Sequence, residues 1–294
     1  MVKKNSPQAW FLATRPKTLS AAATPVIVAC ALAYRNQGFQ WKPALICLLF
    51  ALIAQIIANF ANDYFDYKKG NDNKDRLGPR RAVAEGWIEP KIMLGATVAL
   101  LLLDLALGLT LIHYGGWQLI IVGLLVALFA FAYSGGPFPL AYRGLGDICV
   151  FIFFGIIPTG FTYYVQTLQW NLPVVICGAA TGLVIINILV ANNYRDRYSD
   201  ALTGKKTSVV LLGAQFGQWF YLLNGIAAVV ACQYFWFEKT AGASLLPLVY
   251  LVFHILTWKE MCRNEGKALI GTLEKTARNV LIFGGTLSIG LVWK

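Results

Sequence analysis

Carboxylates and carboxamides recur at helical spacing in two places along this chain. Asn62, Asp63 and Asp66 sit at i, i+1 and i+4, and Asn192, Asp196 and Asp200 at i, i+4 and i+8. On a helix each set gathers on one face. Carboxylates that close together repel unless something positive stands between them. Oxygen ligands suit hard divalent cations, and Mg²⁺ is typically shared with substrate phosphates. The surrounding stretches, Ala61–Asp66 and Ala191–Asp196, are identical at four of six positions, so they read as matching halves of one site. The chemistry they predict is metal-assisted binding of a phosphorylated substrate.

The elements that must position these residues are hydrophobic. The chain has 294 residues, 57% hydrophobic and only 13% charged, with a mean hydropathy of +0.59. A soluble domain carries about 25% charge. The expected fold is therefore all-α, a polytopic membrane protein whose single transmembrane domain takes in residues 1–294. Nine apolar segments are expected to span, near 17–35, 43–61, 92–112, 117–134, 147–166, 173–191, 216–236, 241–258 and 277–293. Both acidic stretches close such a segment, the second and the sixth. Acids at a helix C-terminus oppose the macrodipole, and an ionised group at membrane depth is costly unless it is used. A solvated helix end is the plainer alternative for each stretch.

The net charge of +11 does not point to nucleic acid, because its distribution follows the membrane. With nine spans and the N-terminus inside, 21 of the 25 Lys and Arg residues fall in inner segments. Only Arg35, Lys42, Lys239 and Lys294 lie outside. This bias places the N-terminus and the acidic stretches in the cytoplasm and the C-terminus outside, in the cell (inner or plasma) membrane. The six cysteines show no CxxC or Cys/His ligand spacing and read as small hydrophobes.

Other polar residues leave alternatives open. Arg76, Arg80 and Arg81 share a loop with Asp63 and Asp66, and serve either the lipid surface or a diphosphate. Gly204-Lys205 lacks the rest of a phosphate loop, which excludes a P-loop nucleotide site. Asp147 is either the N-cap of the fifth span or a site residue. Tyr133 lies in the same inner region, and with Lys17 and Asp147 is a candidate for an acceptor or loop site. Asp104, in the middle of the third span, is expected to pair within the bundle.

At this point the chain resembles the UbiA superfamily of intramembrane aromatic prenyltransferases, over essentially its whole length. The resemblance rests on Asn62–Asp66 after the second helix and Asp196–Asp200 after the sixth. Its closest likeness is to the branch that acts on 1,4-dihydroxy-2-naphthoate in menaquinone synthesis. That likeness is carried by Arg15–Leu19, Asp75–Pro79 with Arg81, Gly144–Asp147, Asn193, Gly204-Lys205 and Thr207. Ser208 departs from it, standing where many relatives have Leu. The resemblance implies a nine-helix bundle and two Mg²⁺ ions. It implies metal ligation by Asn62, Asp63, Asp66, Asn192, Asp196 and Asp200, with the four aspartates catalytic. Arg76, Arg81 and Lys205 would then meet the diphosphate of a polyprenyl diphosphate. The prenyl group would pass to the naphthoate with loss of carbon dioxide, giving demethylmenaquinol. Acceptors such as homogentisate or 4-hydroxybenzoate, and a secondary transporter with the acids as ion sites, are the competing readings.

The charge asymmetry makes a direct prediction. Single cysteines placed near Asn62 and near Asp200 should react with a membrane-impermeant maleimide only from the cytoplasmic side. Labelling of either from outside would contradict the topology.

Overall fold

The computed structural model describes residues 2–68, 78, 80–134 and 139–293. Its long helices are α1 (Leu19–Arg35), α2 (Trp41–Lys68), α3 (Pro90–Gly115), α4 (Gln118–Ser134) and α5 (Gly146–Thr167). They continue as α6 (Leu172–Leu202), α7 (Ala214–Cys232), α8 (Leu248–Arg263) and α9 (Leu269–Val292). Among the described residues the only β pairing is one isolated bridge between Arg143 and Lys206. The all-α membrane class is therefore as expected.

The span count is corrected. Seven helices among the described residues are long and apolar enough to cross a membrane: α2, α3, α5, α6, and α1, α7 and α8 with their flanking turns. The two expected spans that fall short do so for different reasons. Helix α4, over the expected 117–134, has only 17 residues. Helix α9, which contains the expected 277–293, has 24 residues, but Glu274, Lys275, Arg278 and Asn279 dilute its first half.

Helices α2 and α6 are longer than the membrane needs. At 28 and 31 residues they reach about 42 and 46 Å against a hydrocarbon core of about 30 Å. Each runs straight through its acidic stretch, so the helical spacing read from the sequence is real. Helices α1 and α6 form the centre of the bundle: α1 packs on α2, α5, α6 and α9, and α6 on α1, α5, α7 and α9. Helix α5 contains a π-helical turn, Phe151–Ile156, that lies against α6. A Cβ on Gly155 would stand 2.5 Å from the Cα of Gly182, so two glycines set this approach. Between α1 and α9 the contact is equally close: a Cβ on Gly284 would stand 2.3 Å from Thr24 Cγ2.

Polar contacts fix which helix ends meet. The Asn59 amide on α2 donates to Thr14 O (2.9 Å) and Thr18 Oγ1 (3.0 Å), just before α1. Lys17 pairs with Glu274 at the start of α9 (2.5 Å), and Arg197 near the end of α6 with Glu265 just before α9 (3.0 Å). The start of α1, the ends of α2 and α6 and the start of α9 thus share one end of the bundle. At the other end Asn36 donates to the Tyr163 hydroxyl (2.8 Å) and the Gln40 side chain to Gln166 O (2.5 Å).

A buried polar layer joins α7, α8 and α9. His254 is fully buried, with its ring stacked between Tyr221 (4.9 Å) and Tyr250 (5.1 Å). Its Nε2 lies 3.1 Å from Leu222 O, which can only accept, so Nε2 carries a hydrogen, and Nδ1 lies 3.1 Å from the Tyr250 hydroxyl. The histidine is thus structural, tying α8 to α7. Asp104 departs from expectation: its Oδ1 is buried with no hydrogen-bond partner among the described residues, so the pairing expected there is not made at that oxygen.

Gly225 faces the histidine so closely that a Cβ would stand 2.2 Å from Nε2. Gly225→Ala should therefore destabilise the bundle by about 1–3 kcal/mol, the usual cost of overpacking. The measurement is the thermal unfolding midpoint in detergent, and an unchanged midpoint would contradict this packing.

Candidate functional site

In the first acidic stretch the two aspartates have different surroundings. Asp63 is 1% exposed, and its carboxylate accepts the backbone N–H of Ala82 (2.9 Å) and Val83 (3.3 Å). It folds the chain beyond α2 back onto the helix. Asp66, one turn later, is more open and pairs with Arg81. The Arg81 guanidinium also donates to the backbone carbonyl of Asn62, whose side chain is exposed. Arg76, expected at the diphosphate, lies outside the described residues.

The second stretch is built around a buried guanidinium. Arg195 donates from Nε to Asp196 Oδ1 (2.7 Å) and from Nη2 to Asp196 Oδ2 (2.6 Å) and Asn192 Oδ1 (2.7 Å). This bidentate geometry is the strongest form of such a pair. Its Nη1 is buried with no hydrogen-bond partner among the described residues. Asp200 holds Lys205 at 3.2 Å, and Lys205 Nζ lies 6.0 Å from the centre of the Tyr142 ring. Arg197 is stacked on Tyr194 (4.3 Å) and Tyr198 (4.4 Å). It ties the end of α6 to Glu265.

The structure brings both stretches to one end of the bundle, on helices that both pack against α1 and α5. Among the described residues, no three Asp, Glu, His or Cys side chains converge on a point where an ion would be held. The donor set nonetheless fits Mg²⁺ in type, being all carboxylate and carboxamide oxygen. Asp66, Asp196 and Asp200 each face a cation of the chain, in the electrostatic place that a metal would take. Asp63 is the least open to one.

The remaining candidates separate. Lys17 pairs with Glu274 on a cavity of about 530 Å³ between α1, α2 and α9. Tyr133 and Asp147 lie together at the start of α5: a Cβ on Gly146 would stand 3.6 Å from the Tyr133 hydroxyl and 3.4 Å from Leu189 of α6. Asp147 is not the N-cap of α5, which is Leu145; it stands in the first turn, with its carboxyl against its own backbone N–H. Sequence reasoning missed Ser208, whose hydroxyl lies against the Asp147 carboxyl. Its only signal was its departure from Leu.

A helical membrane bundle with two acid stretches at one end, each matched by basic side chains, is built to hold anions at a membrane boundary. The chain belongs to the UbiA prenyltransferase family, whose model matches residues 22–270. It is 38% identical over 296 residues to 1,4-dihydroxy-2-naphthoate octaprenyltransferase of Escherichia coli (strain K12), covering 97% of this chain and 95% of that one. It is 31% identical over 295 residues to the Haemophilus influenzae protein of the same description, covering 96% and 95%. The fold matches that of a UbiA homolog from Archaeoglobus fulgidus bound to DMAPP and Mg²⁺. The TM-score is 0.66 at 13% identity, over 95% of this chain and 99% of that one.

The contrast between Asp63 and Asp66 is testable. Asp63→Ala leaves two buried N–H groups without their acceptor, which should cost about 1–3 kcal/mol each and lower the unfolding midpoint. Asp66→Asn should leave that midpoint nearly unchanged while activity falls by orders of magnitude. Equal stability of the two variants would contradict the assigned difference.

Proposed function

We propose that this protein transfers a polyprenyl group from polyprenyl diphosphate to 1,4-dihydroxy-2-naphthoate, releasing diphosphate and carbon dioxide and giving demethylmenaquinol. The observation that carries this is the pairing of two acid stretches at one end of a bundle whose full-length relatives are described by that acceptor. Asp66, Asp196 and Asp200, with Asp63, Asn62 and Asn192, are the residues that would hold Mg²⁺. Bound there, the metal supplies Lewis-acid neutralisation of the leaving diphosphate. Arg81 and Lys205 already stand at Asp66 and Asp200, so a diphosphate arriving at either stretch meets a cation already in place. Arg76 would add a third.

The lipid tail belongs among the apolar helices and the charged head at their ends. We assign that end to the cytoplasmic face of the cell membrane, from the excess of Lys and Arg there. The acids lie at helix ends and not at mid-depth on broken helices, which favours an enzyme over a transporter.

The test is turnover by purified protein given Mg²⁺, a labelled polyprenyl diphosphate and a panel of aromatic acceptors. Product should form with the naphthoate, stop when the metal is chelated and return when Mg²⁺ is restored. Full activity in excess chelator would remove the metal from the site. Prenylation of 4-hydroxybenzoate or homogentisate but not of the naphthoate would change the acceptor and leave the family intact.

A further inference from the structure

Two loops meet beside the second acidic stretch. Lys206 N donates to Tyr142 O (3.1 Å), and Arg143 and Lys206 form the isolated bridge. The loops flank an open surface pocket of about 440 Å³ lined by Pro139, Tyr142, Arg143, Gly204, Lys206 and Leu211, within the size range of small-molecule sites. Asp147 lies near this junction without lining the pocket, and is 7% exposed. The Ser208 hydroxyl lies against its carboxyl, yet neither Ser208 Oγ nor Asp147 Oδ1 completes a well-formed hydrogen bond among the described residues.

A buried carboxylate with an unmatched oxygen is expensive, and such groups concentrate where chemistry uses them. Asp147 stands in the first turn of α5, after the N-cap Leu145, and its carboxyl meets its own backbone N–H there, yet Oδ1 stays unmatched among the described residues. Its position is also informative. Gly146, the residue before it, packs on Leu189. Leu189, Asn192 and Asp196 stand at i, i+3 and i+7 and share one face of α6. Asp147 therefore follows directly on a residue packed against the face that carries the second acidic stretch, about two turns of helix below it.

We propose that Asp147, with Ser208 beside it, receives the hydroxyl of the aromatic acceptor and takes its proton as the new bond forms. This rests on the prenyl-transfer reading above and names the base for it. The acceptor O–H bond breaks and its proton passes to an Asp147 oxygen. The released electron pair moves into the ring, and the carbon bearing the carboxylate bonds to the allylic carbon. The allylic C–O bond breaks with its pair leaving on the diphosphate. The carboxylate departs as carbon dioxide, its bonding pair restores the ring, and Asp147 returns the proton to the oxygen.

The experiment compares wild type, Asp147→Asn, Asp147→Ala and Ser208→Ala as full-length protein in detergent, with Mg²⁺, polyprenyl diphosphate and the naphthoate. Asp147→Asn should lower kcat about 10²–10⁴-fold, the usual yield of a general base, with KM for the prenyl diphosphate unmoved. Added formate should restore part of the Asp147→Ala activity, which a merely structural aspartate would not allow. Undiminished kcat in Asp147→Asn, or a loss that formate leaves untouched, overturns the proposal. Should the Asp147 variants not fold, Ser208→Ala decides. A fall of about three- to tenfold in kcat, worth one hydrogen bond, supports the assignment, and an unchanged kcat overturns it. If wild type ignores the naphthoate but prenylates another hydroxylated acceptor, the acceptor reading has failed, and the variants are compared on that acceptor.

Discussion

A carboxylate at the edge of a hydrocarbon slab must be neutralised, and the rest of this structure is arranged around that requirement. Four aspartates are carried there on two helices that outrun the membrane core. Each is matched from within the chain, Asp63 by backbone N–H groups, Asp66 by Arg81, Asp196 by Arg195 and Asp200 by Lys205. The matching groups are not equally committed. Backbone amides cannot leave, and a buried bidentate guanidinium such as Arg195 is costly to separate. Lys205 is a flexible ammonium at longer range, and such contacts exchange readily. The site thus has a rigid part and a part whose charges can change partner.

The supporting fold follows from the same need. Helices α1 and α5 stand between α2 and α6 and hold the two acid-bearing ends at one level. Glycines let α5 lie almost backbone to backbone with α6, and the π turn falls at that contact. Bulges of this type are frequent near functional sites, because they shift the side chains that follow them. Here the turn begins four residues after Asp147. Elsewhere in the bundle, the layer around His254 locks α7 to α8, and Tyr221 reaches Thr276 of α9.

Much of this was legible in the sequence, for identifiable reasons. Apolar run length exposed the membrane class. Acid spacing exposed one helix face at each stretch, and the structure keeps both stretches helical. Span counting failed at α4 and α9, because length and hydropathy separate when a helix is short or when its first turns carry Glu274, Lys275 and Arg278. The structural use of Asp63 was hidden, since it depends on where residues 82 and 83 return. The meeting of Asp147 with Ser208 joins positions 61 residues apart, and no local period encodes it. The partners of Asp66 and Asp200 were visible as nearby cations, but not which cation would choose which acid.

The seam between α1 and α9 has a consequence for synthesis. Thr24 sits in the space left by Gly284, and α9 is made about 250 residues after α1. At translation rates of about 5–20 residues per second, that is a delay of roughly 12–50 s. Throughout it the nascent bundle presents an uncovered flank, to lipid or to an insertion chaperone. Closure then depends on the helix whose own apolarity is diluted by charge, so its entry into the bilayer draws on the flank already waiting for it.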